Sequence, residues 1–488
     1  MYLGIDLGTS SVKIVLVDRR EALLASADAP LAPRRPQPSW SEDDPDLWWD
    51  AVAAGLDRLH AAHPDLFARV EALGLSGQMH GALLLDATDR PVRRAILWND
   101  GRAAARARDL AGRHPNLAAT AGVRPMPGFT GPILAWLRQH EPAALDRARH
   151  LLLPKDYLRL KLTGERSTDP SDAAGTWLFD QGGRAWSSAL LAACGADPAW
   201  LPAVTESTAV SGRLRPEWCL RWGFPPGTPV AGGGGDTAVG GVGIGAVDGG
   251  LGFVSLGTSG QVFLAAESFT PAADPTVHGF CHALPRRWYR MAALLNGASP
   301  LAAATRWTGR PAVSDLLGEV EEGFTGPSRL LALPYLSGER TPHDDPAARG
   351  ALIGLTASST PADIAQSMME AVAFSLADGL AALAPAPRPE ALGFIGGGAR
   401  SHLWGRMIAA SLDVALVRHA GAERGPAFGA ARLARLAATG EDPSAVAVPP
   451  RVADAIPPEP RLVDAYGPRL AAFRRLYAAL KDEFARDD

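Results

Sequence analysis

Two acidic residues stand beside glycine-rich turns, and the chemistry that this pairing suits is phosphoryl transfer. Asp6 stands two residues before the turn Gly8-Thr9-Ser10-Ser11, at the end of a strand. Glycine permits close backbone approach, and turn N–H groups with Thr and Ser hydroxyls can cradle phosphate oxygens. A carboxylate next to a phosphate cradle needs a cation between them, which makes Asp6 a natural Mg²⁺ partner, through water. Lys13 is near enough in sequence to reach the same phosphate. The second acid, Asp236, follows Gly232-Gly233-Gly234-Gly235 and opens a small-residue helix containing Ala238, Gly240, Gly241 and Gly243. Helix capping and catalysis are compatible there, because the helix dipole favours an ionised carboxylate at neutral pH. An ionised Asp is what a hydroxyl needs to lose its proton while attacking phosphorus.

The elements that must position these acids read as a duplication. Leu7-Gly8-Thr9-Ser10 recurs as Leu256-Gly257-Thr258-Ser259, and each copy lies between short apolar runs that form a β-hairpin. Ser255 stands where the first copy has Asp6, so the phosphate turn is repeated and the metal anchor is not. A second glycine cluster, Gly396-Gly397-Gly398, is read as the partner of Gly232 to Gly235; it lacks an acid and suits a nucleotide lying across backbone. The pattern predicts two similar α/β lobes, 1–247 and 248–488, with their glycine loops facing one cleft. Helix starts are legible at Asp44-Pro45 and at Thr360-Pro361-Ala362-Asp363.

Two polar clusters follow predicted strands: Gly77-Gln78-Met79-His80-Gly81 and Trp98-Asn99-Asp100-Gly101-Arg102. Polar groups at strand ends face a cleft in α/β folds, and a sugar needs several hydrogen-bond partners beside an apolar wall. Met79, His80, Trp98, Asn99 and Asp100 are therefore candidate sugar ligands.

Composition narrows the classes. At 488 residues the chain is long enough for two domains of roughly 250 residues each. A formal charge of -4 with 20% charged residues argues against a broad nucleic-acid or membrane-surface footprint. Cys194, Cys219 and Cys281 lie far apart, which excludes a disulfide framework and fits a reducing cytosol. The opening MYLGIDLG reads as a strand and not as a signal peptide, and no apolar run is long enough for a membrane span, so a cytoplasmic location is expected. A homodimer is left open. Neither glycine run matches GxGxxG in a strand–helix context, which removes a Rossmann dehydrogenase.

Nearly end to end, the sequence resembles the xylulokinases among the FGGY carbohydrate kinases. The likeness is carried by MYLGIDLGTSSVK at 1–13, WSEDDP at 40–45, GQMHGALLLD at 77–86, AILWNDGR at 95–102 and LLPKDYLRLKLTGE at 152–165. It continues through SDAAGT at 171–176, SLGTSG at 255–260, LPYLSGERTPH at 333–343 and GGGARS at 396–401. The resemblance implies two actin-like, ribonuclease H-like lobes of the hexokinase–actin ATPase fold around a central cleft. It implies ATP and Mg²⁺ with D-xylulose as the sugar, Asp236 as general base, and Met79 and His80 on the sugar. Gly8, Thr9, Ser10, Lys13, Gly257 and Thr258 would surround the ATP phosphates, Gly397, Gly398 and Ser401 would lie near adenosine, and Asp6 near Mg²⁺. Alternatives are a related kinase acting on ribulose, gluconate, fuculose or glycerol, and a non-catalytic sugar-sensing ATPase of the same fold. Three departures from the family pattern stand out: four glycines before Asp236 in place of three, Thr237 in place of a common Asn, and Ile133 where a Lys, read as a surface charge, is usual near Gly128-Phe129-Thr130.

Overall fold

The computed structural model describes residues 1–384, 387–421 and 425–484. Two seven-stranded sheets, one on each side of residue 247, form its frame. In the first, β1 (Tyr2–Leu7), β2 (Ser11–Val17) and β3 (Leu23–Pro30) run antiparallel in succession. Next, β4 (Ala72–Gly77) joins β1 in parallel, and β5 (Val210–Arg213) and β6 (Pro229–Ala231) complete the order β5-β6-β4-β1-β2-β3. The short strand β7 (Gly234–Gly235) pairs the end of β4. Alternation makes the hairpin two-faced: Leu3, Ile5, Leu7, Val12, Ile14 and Leu16 are buried in one cluster, beneath helix α1 (Pro45–Ala62), which Asp44 caps.

The second sheet repeats the plan. Its strands are β8 (Gly252–Leu256), β9 (Gly260–Ala266), β10 (His278–Cys281), β11 (Trp288–Leu294), β12 (Ala391–Ile395), β13 (Ala415–His419) and β14 (Val452–Ile456), in the order β10-β11-β9-β8-β12-β13-β14. Strand for strand, β8 matches β1, β12 matches β4, and β13 with β14 matches β6 with β5. This corrects one pairing expected from the sequence. Gly396 to Gly398 follow β12, so their counterpart is the Gly77–Gly81 turn after β4, and not Gly232 to Gly235 after β6. Sequence order hid this because both glycine clusters follow apolar strands.

Two helices cross between the sheets: α3 (Asp236–Ile244) after β6, and α6 (Gly425–Thr439) after β13. Between them in the chain come the capped helix α4 (Pro361–Leu383), whose Thr360 and Asp363 form a capping box, and α5 (His402–Leu412). Although α6 belongs to the second half of the sequence, it lies on the first sheet. Gly4 of β1 and Gly74 of β4 are register neighbours, and a Cβ on either would stand 1.9 Å from a carbonyl oxygen of α6. Arg432 of α6 ties the crossing together, pairing with Glu21 beyond β2 and donating to the carbonyls of Val242 and Gly243 at the end of α3. At the crossing itself, a Cβ on Gly429 would lie 1.9 Å from the Val239 carbonyl. Gly429→Ala is therefore expected to destabilise the protein by about 1–3 kcal/mol or more, read as a lower urea midpoint. An unchanged midpoint would contradict this packing. No helix among the described residues is long and apolar enough to cross a membrane.

Candidate active site

The parallel pair β1–β4 and the hairpin β1–β2 put three side chains in one row at the mouth of the first sheet. Asp6 is in register with Lys13 on β2 and Ser76 on β4. The Asp6 Oδ1 atom is buried and has no hydrogen-bond partner. Burial pushes its carboxyl up to about 6, with the Ser76 hydroxyl and the Lys13 charge opposing.

Asp236 is the first residue of α3 and faces the same space. Its Oδ1 accepts from the Thr237 backbone N–H at 2.6 Å and from the Thr237 hydroxyl at 3.3 Å. Burial, then the negative charge of Asp6, pushes its carboxyl up to about 7 against these Thr237 donors. The sequence-based expectation that the helix dipole alone keeps it ionised at neutral pH is corrected here: desolvation and a like charge outweigh the dipole.

Both acids line a cleft of about 770 Å³. Its opposite wall comes from the second lobe: Ser255 and Gln261 of the hairpin, Gly396 and Gly397 after β12, and Arg400, Arg418 and His419. Gly398, although adjacent, packs against β8, since a Cβ there would meet the Leu256 side chain at 2.4 Å. Ser401 is not among the residues lining the cleft; its hydroxyl accepts from the Trp404 N–H and caps α5. The Gly257-Thr258 turn is braced from outside, because the Gly257 carbonyl accepts from Ala298 N–H and the Thr258 carbonyl from Gly297 N–H. Gly8 closes its own turn through Gly8 N–H to Ser11 O at 3.0 Å, and Ser10 receives Leu31 N–H on its carbonyl.

A polar and aromatic wall stands beside Asp236. Met79 packs against the glycine loop that precedes Asp236, where a Cβ on Gly235 would lie 2.6 Å from its Cγ. His80 occupies the left-handed region with φ 73°, a strained conformation for a non-glycine residue. Its ring stacks on Phe129 with centroids 4.3 Å apart, and Nδ1 meets the Gly175 carbonyl at 2.7 Å. Burial lowers its pKa to about 4, so the ring is neutral. A neutral ring whose Nδ1–H donates to a carbonyl presents Nε2 as an acceptor, suited to a hydroxyl donor. The Gly128-Phe129-Thr130 signature explains itself here: Gly128 lies against the Trp98 carbonyl, Phe129 carries the stack, and Thr130 Oγ1 donates to His80 O at 2.6 Å. Ile133, one turn on, is fully buried, so the position is core and not surface.

Two further expectations need revision. The Thr9 hydroxyl accepts from Trp98 Nε1 at 2.9 Å and donates to Gln78 Oε1 at 3.0 Å, which spends it on joining the two polar clusters and not on phosphate. Asp100 is sealed: Arg102 engages both its oxygens and Ser41 N–H donates to Oδ2 at 2.6 Å. It anchors the loop and offers no oxygen to a sugar. What the clusters do leave free are buried Asn99 Oδ1 and Gln78 Nε2, neither with a partner. Gln78 was inside a recognised motif but was not singled out. His278 and Phe280 of the second lobe, which approach His80 at 6.5 Å and 6.2 Å between ring centroids, carried no signal in sequence because nearly two hundred residues separate them.

Residues 1–243 match the N-terminal domain, and residues 252–438 the C-terminal domain, of the FGGY family of carbohydrate kinases. The chain belongs to that family. This FGGY kinase is 43% identical over 483 residues to the xylulose kinase of Escherichia coli (strain K12), covering 98% of this chain and 99% of that protein. The crystal structure of a xyloylose kinase from Brucella ovis superposes with a TM-score of 0.95 at 43% identity, covering 99% of each chain. A gluconate kinase from Lactobacillus acidophilus shares the fold, with a TM-score of 0.92 at 24% identity over 100% of this chain and 99% of its own.

Proposed function

We propose that this FGGY kinase transfers the γ-phosphoryl group of ATP directly to the 5-hydroxyl of D-xylulose. The observation that carries the chemistry is the meeting of Asp236 and Asp6 in one cleft whose far wall is the glycine turn at Gly396 and Gly397. The choice of sugar rests on 43% identity, over nearly the whole chain, to a xylulose kinase.

In this reading the sugar lies between Asp236 and the Met79–His80–Phe129 wall, with Asn99 and Gln78 supplying the polar partners it needs. Gly8, Ser10, Lys13, Gly257 and Thr258 close around the phosphates from the two hairpins, and Gly396 and Gly397 flank adenosine, while Gly398 packs behind them on β8. As the O5–Pγ bond forms and the bond from Pγ to the leaving ADP oxygen breaks, the O5 proton passes to Asp236. The hard, unpartnered Asp6 Oδ1 fits a Mg²⁺ ion, which when bound supplies charge neutralisation on the phosphate oxygens. Approach of His278 and Phe280 to His80 excludes water that would otherwise compete as acceptor. Every group in this account comes from one chain, so a dimer is not required. The cytoplasm is the fitting location, where ATP is at hand and the three buried free cysteines stay reduced.

ADP release measured across xylulose, ribulose, gluconate, fuculose and glycerol tests the assignment. The highest kcat/KM is expected for xylulose; a higher value for another acceptor would replace the sugar, and no sugar-dependent ADP at all would favour a non-catalytic ATPase. The pH profile adds a second check. Because the Asp236 carboxyl is pushed up to about 7, it is protonated and unable to take a proton below that pH. Accordingly kcat/KM for the sugar should climb as pH rises through about 7 and then level. A profile flat down to pH 5 would contradict the raised carboxyl and leave the base role to the Asp236 variant.

A further inference from the structure

Behind the base loop lies a cluster of charges with no access to the cleft. Helix α2 (Pro154–Thr163) brings Lys155, Asp156 and Arg159 into the core, all with fully buried side chains. Lys155 Nζ meets three carboxylates: Asp156 at 2.6 Å, Asp169 at 2.9 Å and Asp172 at 3.1 Å. Arg159 Nη1 bridges Asp156 at 2.9 Å and the Ser167 carbonyl at 2.6 Å. Burying so many charges costs more desolvation than an apolar core of equal volume, so the cluster is not explained by stability.

Its outward bonds end on the four glycines before Asp236. Arg159 Nη2 donates to the Gly232 carbonyl. Asp169 Oδ2 accepts from Ser171 Oγ at 2.5 Å and from Ser207 Oγ at 2.9 Å, fixing both serines. Gly235 N–H then donates to Ser171 Oγ at 3.1 Å, and Gly233 N–H to the Ser207 carbonyl at 3.1 Å. The approach leaves no room for side chains: a Cβ on Gly232 would stand 2.3 Å from Glu206 O, and one on Gly234 would stand 2.6 Å from Ser171 Oγ. A run of four glycines is the most permissive backbone available. Left alone, it would give its terminal carboxylate a broad range of positions. Here the loop is pinned at Gly232, Gly233 and Gly235, the last of them adjacent to the carboxylate-bearing residue.

We propose that Lys155, Arg159, Asp169 and Ser171 form a positioning clamp that holds the glycine loop and thereby aims Asp236 at the sugar hydroxyl. This rests on the reading of Asp236 as the base. None of the four lines the cleft, so their contribution passes through the loop and not through contact with substrate. Ser171 is the informative member, because it is the last link before Asp236 and can lose its oxygen without leaving an unpaired charge.

The test compares wild type, Ser171→Ala, Asp236→Ala and the double variant, with sugar-dependent ADP release and thermal unfolding measured for each. S171A is expected to lower kcat about 10–100-fold, as a misaimed group does, with KM for ATP and for the sugar within about threefold. In the D236A background the same change should alter kcat less than about twofold, since there is no base left to aim. The proposal is overturned if folded S171A turns over at the wild-type rate, if its KM values rise in step with the loss, or if it lowers kcat equally in both backgrounds. Near-normal turnover by D236A itself would remove the base reading, and the clamp with it; an inactive D236A beside a fully active S171A would remove the clamp alone.

Discussion

Asp236→Ala is expected to lower kcat about 10²–10⁴-fold while leaving ATP binding nearly intact. The size follows from what the residue would do. A sugar hydroxyl holds its proton far too tightly at neutral pH to lose it to water alone as it attacks. A carboxylate raised to about 7 is better matched to that proton than an ordinary surface Asp, because its basicity is higher while half its population remains ionised near neutrality. The wall assigned above to the nucleotide, in contrast, is built from backbone at Gly396 and Gly397 and from Arg400, Arg418 and His419, all contributed by the second lobe. Separate steady-state titrations of ATP and sugar, with ADP release as readout, check both halves of the expectation. A variant with near-normal turnover would dismiss Asp236 as the base.

The second large effect is expected at Asp6. Its Oδ1 is buried without a partner, and its carboxyl is raised to about 6 because Lys13 and Ser76 only partly offset burial. Such a group costs stability unless a cation joins it. Asp6→Asn keeps the shape and removes the charge, and should cut kcat/KM for ATP at fixed Mg²⁺ by about 10²-fold. It should also weaken the protein's hold on Mn²⁺–ATP when binding is followed by the Mn²⁺ spectroscopic signal, independently of turnover. Equal Mn²⁺–ATP affinity in both proteins would take Asp6 out of the metal's surroundings. The asymmetry of the repeat makes the choice of residue specific, since Ser255 occupies the matching place in the second hairpin.

What the sequence disclosed, and what it hid, divides along physical lines. Both hairpins were legible because short apolar runs on either side of a Gly-Thr-Ser turn are local signals. So were the capped starts at Asp44 and Thr360, where side chain and backbone meet within a few residues. The crossing of α6 onto the first sheet was not, since an apolar helix face does not name the sheet it covers; the clue lay in Gly4 and Gly74, which become neighbours only once β1 and β4 pair. Thr9 and Asp100 were misread for a related reason. Their residue types suit ligand binding, but Trp98, Gln78, Arg102 and Ser41 claim them through contacts that no spacing rule reveals. The Lys155 cluster was the least visible, because alternating charges on a helix ordinarily mark a solvated face.

A crystal structure with ADP, Mg²⁺ and D-xylulose bound is the measurement that bears most directly on this account. The sugar's 5-oxygen should lie within hydrogen-bond reach of the Asp236 carboxylate, at about 2.6–3.2 Å, and point toward the nucleotide's terminal phosphate. Sugar bound away from the Met79–His80 wall, or a carboxylate turned out of the cleft with both ligands in place, would contradict it.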